Sequence, residues 1–124
     1  MASQTETQHA NAAIIFELGS YSRDELTIVS GQNLKANAVL GKITASGKYK
    51  EYDNGASDGS EVAAAVLLAD TDASAADKQA ACLTRVAEVH AGELVWKSGA
   101  SQGDKDAGAA DLATKLIIVR TKTA

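Results

Sequence analysis

The stretch from Gly31 to Trp96 most constrains what this chain can fold into, because short apolar runs alternate there with turn residues. Glycine, asparagine and aspartate separate the runs, and the chain contains no proline. These three residue types tolerate the backbone conformations of tight turns. Short runs of β-branched and apolar residues between such turns are typical of strands. We therefore predict a mainly β fold with small α pieces.

The predicted strands follow these runs. They cover Leu26 to Val29, Val39 to Thr44, Lys48 to Tyr52, Val62 to Leu68, Gln79 to His90, Glu93 to Trp96 and Leu116 to Val119. A hairpin turn is predicted at Ser46 and Gly47, between the second and third of them. The run from Val62 is apolar at both alternating positions, which indicates a strand buried on both faces. A short helix is predicted from Asp104 to about Thr114, with Asp104 as its cap.

Residues 1–13 are rich in Ser, Thr, Gln, Ala and Asn and hold no large apolar side chain after Met1. Such a segment cannot bury enough surface to offset the entropy that it would lose on ordering. We therefore expect a flexible N-terminal arm at 1–13 and a single β-rich domain at 14–124. The apolar triplet Ile14, Ile15 and Phe16 follows the arm directly and is a candidate docking element.

Charge and hydropathy argue against two classes of partner. The formal net charge is -4, whereas direct binding to nucleic acid takes a surplus of Lys and Arg. No apolar run reaches the length of a membrane span, and the first residues lack the basic and apolar regions of a signal peptide. We expect a protein made in the cytoplasm, without membrane contact.

Aromatic residues make up only 4% of the chain, and a core with few large side chains favours oligomerisation as a second source of buried area.

The sequence contains no recognisable constellation for catalysis or metal binding. Cys82 is the single cysteine, which excludes an intrachain disulfide and a zinc site built from several cysteines; we expect it to be buried on a strand. Phosphate-binding loops, zinc-hydrolase motifs and a nucleophile elbow are absent from the sequence. The aspartates do not follow the order of a calcium-binding loop. We therefore predict no catalytic residues, no cofactor, no metal and no enzymatic activity.

Four segments have a recognisable order and spacing. They are Gly31-Gln-Asn-Leu34-Lys-Ala-Asn-Ala-Val39-Leu40-Gly41-Lys42-Ile43-Thr44, Ala69-Asp70-Thr71-Asp72-Ala73, Val86-Ala87-Glu88-Val89 and Glu93-Leu94-Val95-Trp96. In this order the chain resembles the head decoration protein D family of lambda-like bacteriophages. The resemblance spans about Leu26 to Val119.

The resemblance implies a β-clip-like compact single domain that forms homotrimers. Proteins of that family bind the major capsid protein on the outside of the expanded head, at local three-fold positions. There they act as cement against the pressure of packaged DNA. Their N-terminal arm is mobile in the free trimer and orders on the capsid with strand-like pairing. The capsid-binding residues so implied are Thr5, Thr7, His9, Ile14, Ile15 and Phe16, and the implied location is the exterior of the virion.

The alternative is a small β-clip carbohydrate- or ligand-binding module, because the segment from Leu34 to Leu40 also resembles such domains. That function would require a pocket with stacking aromatic side chains. The available ones are Trp96, Tyr21, Tyr49 and Tyr52. An enzyme would instead require a cleft holding a strongly perturbed carboxylate or His90.

Overall fold

A computed structural model describes residues 13–121 of the 124-residue chain. The strands are β1 (Ile14–Glu17), β2 (Arg23–Ile28), β3 (Gln32–Leu34), β4 (Val39–Lys42), β5 (Tyr49–Glu51), β6 (Ala63–Leu67), β7 (Thr71–Ala73), β8 (Lys78–Leu83), β9 (Ala87–His90) and β10 (Ile117–Arg120). Helix α1 spans Gln102–Ala113, and short 3-10 turns lie at Gly19–Tyr21 and Ala91–Glu93. The prediction of a mainly β domain with small helical pieces is confirmed. The predicted arm lies outside the described residues except for Ala13.

Five strands close into a barrel in the order β2-β5-β4-β6-β8. β8 pairs antiparallel with β2 from Leu83 opposite Arg23 to Lys78 opposite Ile28. The predicted hairpin is confirmed, because β4 pairs antiparallel with β5 and Gly47 takes a positive φ of 75° in the turn between them. One parallel pairing, between β2 and β5, completes the ring.

Two smaller sheets flank the barrel. The first has the order β1-β9-β10, with β1 antiparallel and β10 parallel to the central strand β9. The second pairs β3 with β7 and was not predicted, because β7 consists of the polar residues Thr71 and Asp72 followed by Ala73. β7 lies between the predicted strands Val62 to Leu68 and Gln79 to His90, where no strand was predicted.

Strand β6 belongs to two hydrophobic cores at once. Ala65 and Leu67 pack in the barrel interior with Leu40, whereas Val66 packs in a second core with Leu112 of α1. Successive residues of a strand point to opposite faces. The prediction that this run is buried on both faces is therefore confirmed.

The prediction of one continuous strand from Gln79 to His90 is wrong. The segment forms two strands, β8 in the barrel and β9 in the three-stranded sheet, separated at Thr84 to Val86. Val86 has a positive φ of 49°, a strained conformation for a β-branched residue. The buried hydroxyl of Ser22 donates to the Val86 carbonyl at 2.7 Å, and this bond helps to hold the switch between the two sheets.

The predicted strand from Glu93 to Trp96 is also wrong. Glu93 ends a 3-10 turn, and Val95 makes only an isolated parallel bridge with Ala38. Trp96 packs edge-on against Tyr52, with ring centroids 6.0 Å apart and planes at 70°. Two backbone hydrogen bonds of Val95, with Asn37 and Val39, and this aromatic packing fix the segment without a strand ladder.

Helix α1 begins earlier than predicted. Ser101, not Asp104, is the N-cap: its Oγ accepts a hydrogen bond from the Asp104 amide at 3.1 Å. Asp104 reciprocates, since its Oδ2 accepts from the Ser101 amide at 3.0 Å. This pair of bonds is a capping box. The side chain of Asp111 on the same helix accepts from the Ala63 amide at 3.0 Å and ties α1 to β6.

Gly108 is the position at which α1 passes close to the rings of Trp96 and Tyr52. A Cβ at this position would lie 2.7 Å from Cζ3 of Trp96 and 2.9 Å from Cε2 of Tyr52. We expect Gly108→Ala to lower the free energy of unfolding by about 1–3 kcal/mol, although alanine has the better helix propensity by about 1 kcal/mol. Chemical denaturation followed by the fluorescence of Trp96 measures the effect.

Gly103→Ala is the matched control in the same helix. A Cβ there meets only Oγ of Ser101, at an ordinary distance of 3.7 Å. Its expected effect is neutral or stabilising by up to about 1 kcal/mol. Equal stability changes in the two variants would contradict a packing role for Gly108.

Candidate functional site

The three-stranded sheet has one face on the core and one face away from it. Ile14, Val89 and Val119 lie opposite one another across the three strands and pack on the second core. The next row is Phe16, Glu88 and Ile118. Paired residues share a face and neighbouring rows alternate. The second row therefore lies on what we call the outer sheet face, defined by Phe16, Glu88, Ile118 and Arg120.

Large exposed apolar side chains concentrate around this sheet. Within residues 13–121 the exposed ones are Ile15, Phe16, Leu18, Tyr21, Val62, Val95 and Leu116. The first four lie on β1 or in the turn that follows it, and Leu116 immediately precedes β10. Phe16 is 47% exposed and Leu116 is 61% exposed. Clustered exposed apolar side chains are typical of surfaces that bind another protein.

Polar contacts fix the shape of this surface. Arg23 donates two hydrogen bonds to Glu17, from Nε at 2.7 Å and from Nη2 at 2.6 Å. These bonds lower the pKa of the Glu17 carboxyl, so Glu17 stays charged and paired. Arg85 donates to the Tyr21 carbonyl at 2.6 Å and lies over its ring, 5.6 Å from the centroid. The turn after β1 is thereby held on the segment between β8 and β9.

On the outer sheet face an ion pair lies beside the apolar residues. Arg120 contacts Glu88, with Nε and Oε1 3.4 Å apart. Phe16 and Ile118 lie on either side of Glu88, one on each edge strand. The face therefore presents two apolar side chains around one charged pair, a composition suited to a protein interface with a polar component.

The structure places the three described members of the predicted docking set on strand β1. Ile14 is half-buried against the second core. Ile15 lies at an irregularity of the pairing between Ile14 and Phe16, and it is 38% exposed. Thr5, Thr7 and His9 lie outside the described residues. Ala13, the last residue of the predicted arm, is buried, and its carbonyl accepts from the His90 amide at 2.8 Å.

The contributions of Glu88, Ile118 and Arg120 to this surface were not predicted from the sequence. The predicted strand from Leu116 to Val119 did contain Ile118, and β10 confirms a strand there. It pairs with β9, which pairs with β1 on its other side, and local apolar runs do not predict such long-range pairing. Leu116 was counted within that strand, whereas it precedes β10 with a positive φ of 64°.

The four aromatic residues of the ligand-binding alternative do not share one surface. Trp96 lines a groove of about 420 Å³ beside α1, and Tyr49 lines a different cavity on the barrel. Tyr52 is buried, and its hydroxyl donates to the Asp104 carbonyl at 3.0 Å. Tyr21 lies under Arg85. The stacking platform that this alternative requires is therefore not formed by these residues.

Cys82 lies on β8 and is fully buried in the barrel interior, which confirms its predicted placement. Burial raises the pKa of its thiol to about 12. Among residues 13–121 no group of three His, Cys, Asp or Glu side chains is placed to hold a metal ion.

Residues 13–121 define a class of protein. It is a small β-barrel domain with flanking sheets and an exposed apolar surface through which it can contact another protein. The chain belongs to the bacteriophage lambda head decoration protein D family, whose model matches residues 3–117. The match covers every predicted docking residue, namely Thr5, Thr7, His9, Ile14, Ile15 and Phe16. No individual curated protein matches the chain.

Family membership confirms the resemblance seen in the sequence. It supports capsid decoration as the role of the chain and the virion capsid as its location, as a structural component of the phage head. Within the range 13–121, no helix is long and apolar enough to cross a membrane.

Proposed function

We propose that this protein is a non-enzymatic cement protein that binds as a homotrimer to the outside of the expanded phage head. It contacts the major capsid protein at local three-fold positions and stabilises the shell against the pressure of packaged DNA. It is made in the host cytoplasm and acts without cofactor, metal, membrane or direct contact with nucleic acid. The observation that carries this proposal is the exposed apolar surface on β1 and the turn after it, which directly follow Ala13, the first described residue.

Strand β1 supports the docking role because it is an edge strand. Among the described residues it pairs on one side alone, with β9, so its other side offers backbone groups to a further strand. Strand addition to such an edge combines main-chain hydrogen bonds with side-chain contacts. Phe16 and Ile15 would supply the apolar contacts of such a complex.

The position of Ala13 supports a role for the arm. Ala13 is anchored in the core immediately before β1, so residues 1–12 connect to the domain at the sheet edge. A chain of this length spans roughly 40 Å when fully extended. On the capsid, Thr5, Thr7 and His9 of this arm would reach the surface of a neighbouring capsid protein subunit.

Trimer formation would strengthen weak individual contacts. Three copies present three arms and three outer sheet faces, so that the later contacts form at a high effective concentration.

The test combines solution mass with binding to expanded, undecorated heads. Light scattering is expected to give three times the chain mass of 12.7 kDa, and the protein is expected to cosediment with heads. Decorated heads should withstand a higher temperature or osmotic shock before they release DNA. A variant lacking residues 2–12 is expected to remain trimeric and to lose most of its head binding.

Unexpanded heads are the control surface, and they should bind little protein. A monomer that ignores expanded heads would contradict the proposal. So would full decoration that leaves the rupture threshold unchanged, because cementing would then not be its effect.

A further inference from the structure

A cavity of about 260 Å³ opens on the barrel, apart from the outer sheet face. Its walls include Asp24 and Leu26 of β2, Lys42 of β4, Tyr49 of β5 and Ala64 of β6. Thr84, which directly follows β8, also lines it. Four of the five barrel strands and the residue directly after the fifth thus line one opening, and we call it the barrel mouth. Mouths of β-barrels are common places for ligand sites.

The apolar interior of the barrel ends below this opening. Asp24 shares its strand face with Leu26 and Ile28, which pack in the barrel interior. Lys42 likewise lies two residues beyond the fully buried Leu40. Charged side chains therefore replace apolar ones at the end of the same interior-facing rows.

The charge of the barrel mouth is opposite to that of the whole chain. Lys42, Arg85 and Lys115 line it, against Asp24 as the one acidic lining residue. Arg85 pairs with Asp24. Within residues 13–121, neither Lys42 nor Lys115 has a side-chain hydrogen bond or ion pair, which leaves two positive charges without a compensating carboxylate. The chain as a whole carries a net charge of -4.

The remaining polar groups of the mouth add donors rather than acceptors. Burial is the main cause that raises the pKa of the Tyr49 hydroxyl, so at neutral pH this group keeps its proton. Arg85 uses two of its five N–H donors on Tyr21 and Asp24. The Asp24 carboxylate is already an acceptor for both Thr84 and Arg85.

We propose that the barrel mouth binds a small tetrahedral oxyanion of the phosphate class, held by Lys42, Lys115 and Arg85 with the Tyr49 hydroxyl as a further donor. The size of the cavity favours one such group, because pockets for larger organic ligands start at about 300 Å³. Phosphate offers more charge and more acceptor oxygens than a single carboxylate. This site is distinct from the outer sheet face, and Arg85 links it to the turn after β1.

Titration of the isotope-labelled full chain with inorganic phosphate, followed by amide NMR shifts, tests the site. We expect saturable shifts at Lys42, Thr84 and Lys115. The double variant Lys42→Gln with Lys115→Gln is expected to raise the apparent dissociation constant at least tenfold, because both uncompensated cations are lost. Both side chains are exposed, so the variant should fold, and its circular dichroism spectrum verifies that.

Lys78→Gln is the matched control, because Lys78 lies on β8 at the far end of its pairing with β2, opposite Ile28. It removes one positive charge outside the mouth and is expected to change the dissociation constant less than twofold. Non-saturating shifts, or the same shifts with sodium chloride at equal ionic strength, would overturn the proposal. Tighter binding of acetate than of phosphate would overturn the phosphate class.

Discussion

Replacing Phe16 by aspartate is expected to weaken binding to expanded phage heads by about a hundredfold or more. Phe16 is 47% exposed on the outer sheet face, so its replacement should leave the fold and the trimer intact. In the proposed complex the new carboxylate would be buried beside Glu88 without a partner, which is costly. The loss is repeated in three subunits and multiplies through avidity. Quantitative cosedimentation with expanded heads measures the change.

Val62→Asp is the matched control for this substitution. Val62 is 50% exposed and lies in the segment before β6, away from the outer sheet face. The control is expected to bind heads with unchanged affinity if it remains trimeric by light scattering. Equal binding of the Phe16 variant and the unmodified protein would remove the outer sheet face from the capsid contact.

Leu67→Ala is expected to lower the free energy of unfolding by about 2–5 kcal/mol. Leu67 is fully buried in the barrel interior, where the small side chain would leave a cavity. A small domain is stable by only about 5–15 kcal/mol, so the melting temperature should fall by roughly 10 °C or more. Thermal unfolding followed by circular dichroism measures it, at one protein concentration because trimer formation contributes to stability.

Val62→Ala is the corresponding control for the core. The exposed side chain of Val62 loses two methyl groups without creating a cavity, and surface changes of this kind usually stay within about 0.5 kcal/mol. A similar loss of stability in both variants would show that burial in the barrel does not account for the effect of Leu67→Ala.

The local sequence predicts those parts of the fold in which the apolar positions of a segment are also its buried positions. The run from Val62 to Leu68 is apolar at every position because both of its faces pack on a core, and β6 lies within it. The hairpin at Ser46 and Gly47 follows from turn chemistry, since glycine readily adopts the positive φ that the turn uses.

The errors share a physical cause, which is that long-range contacts override local pattern. The apolar alternation from Gln79 to His90 continues across Val86, so the local sequence does not show that the chain passes there from the barrel to the three-stranded sheet. The hydrogen bond from Ser22, which lies far away in the sequence, helps to hold that passage. β7 has no apolar periodicity, and its pairing with β3 defines it. Gly108 lowers helix propensity, yet Trp96 and Tyr52 require the space that it leaves.

The candidate site was only partly accessible from sequence for the same reason. The apolar triplet and the family resemblance together predicted a docking region within residues 1–16. They could not reveal that β10, about a hundred residues later in the chain, lies in the same sheet. Ile118 and Arg120 join the surface only through that pairing.

The two-sided burial of β6 has a mechanical consequence for a protein of this kind. Leu67 packs in the barrel interior, and its neighbour Val66 packs in the core beneath the three-stranded sheet. A load applied at the outer sheet face would therefore pass through adjacent residues of one strand into the barrel. In the proposed complex, we expect both cores to share the strain of a pressurised shell.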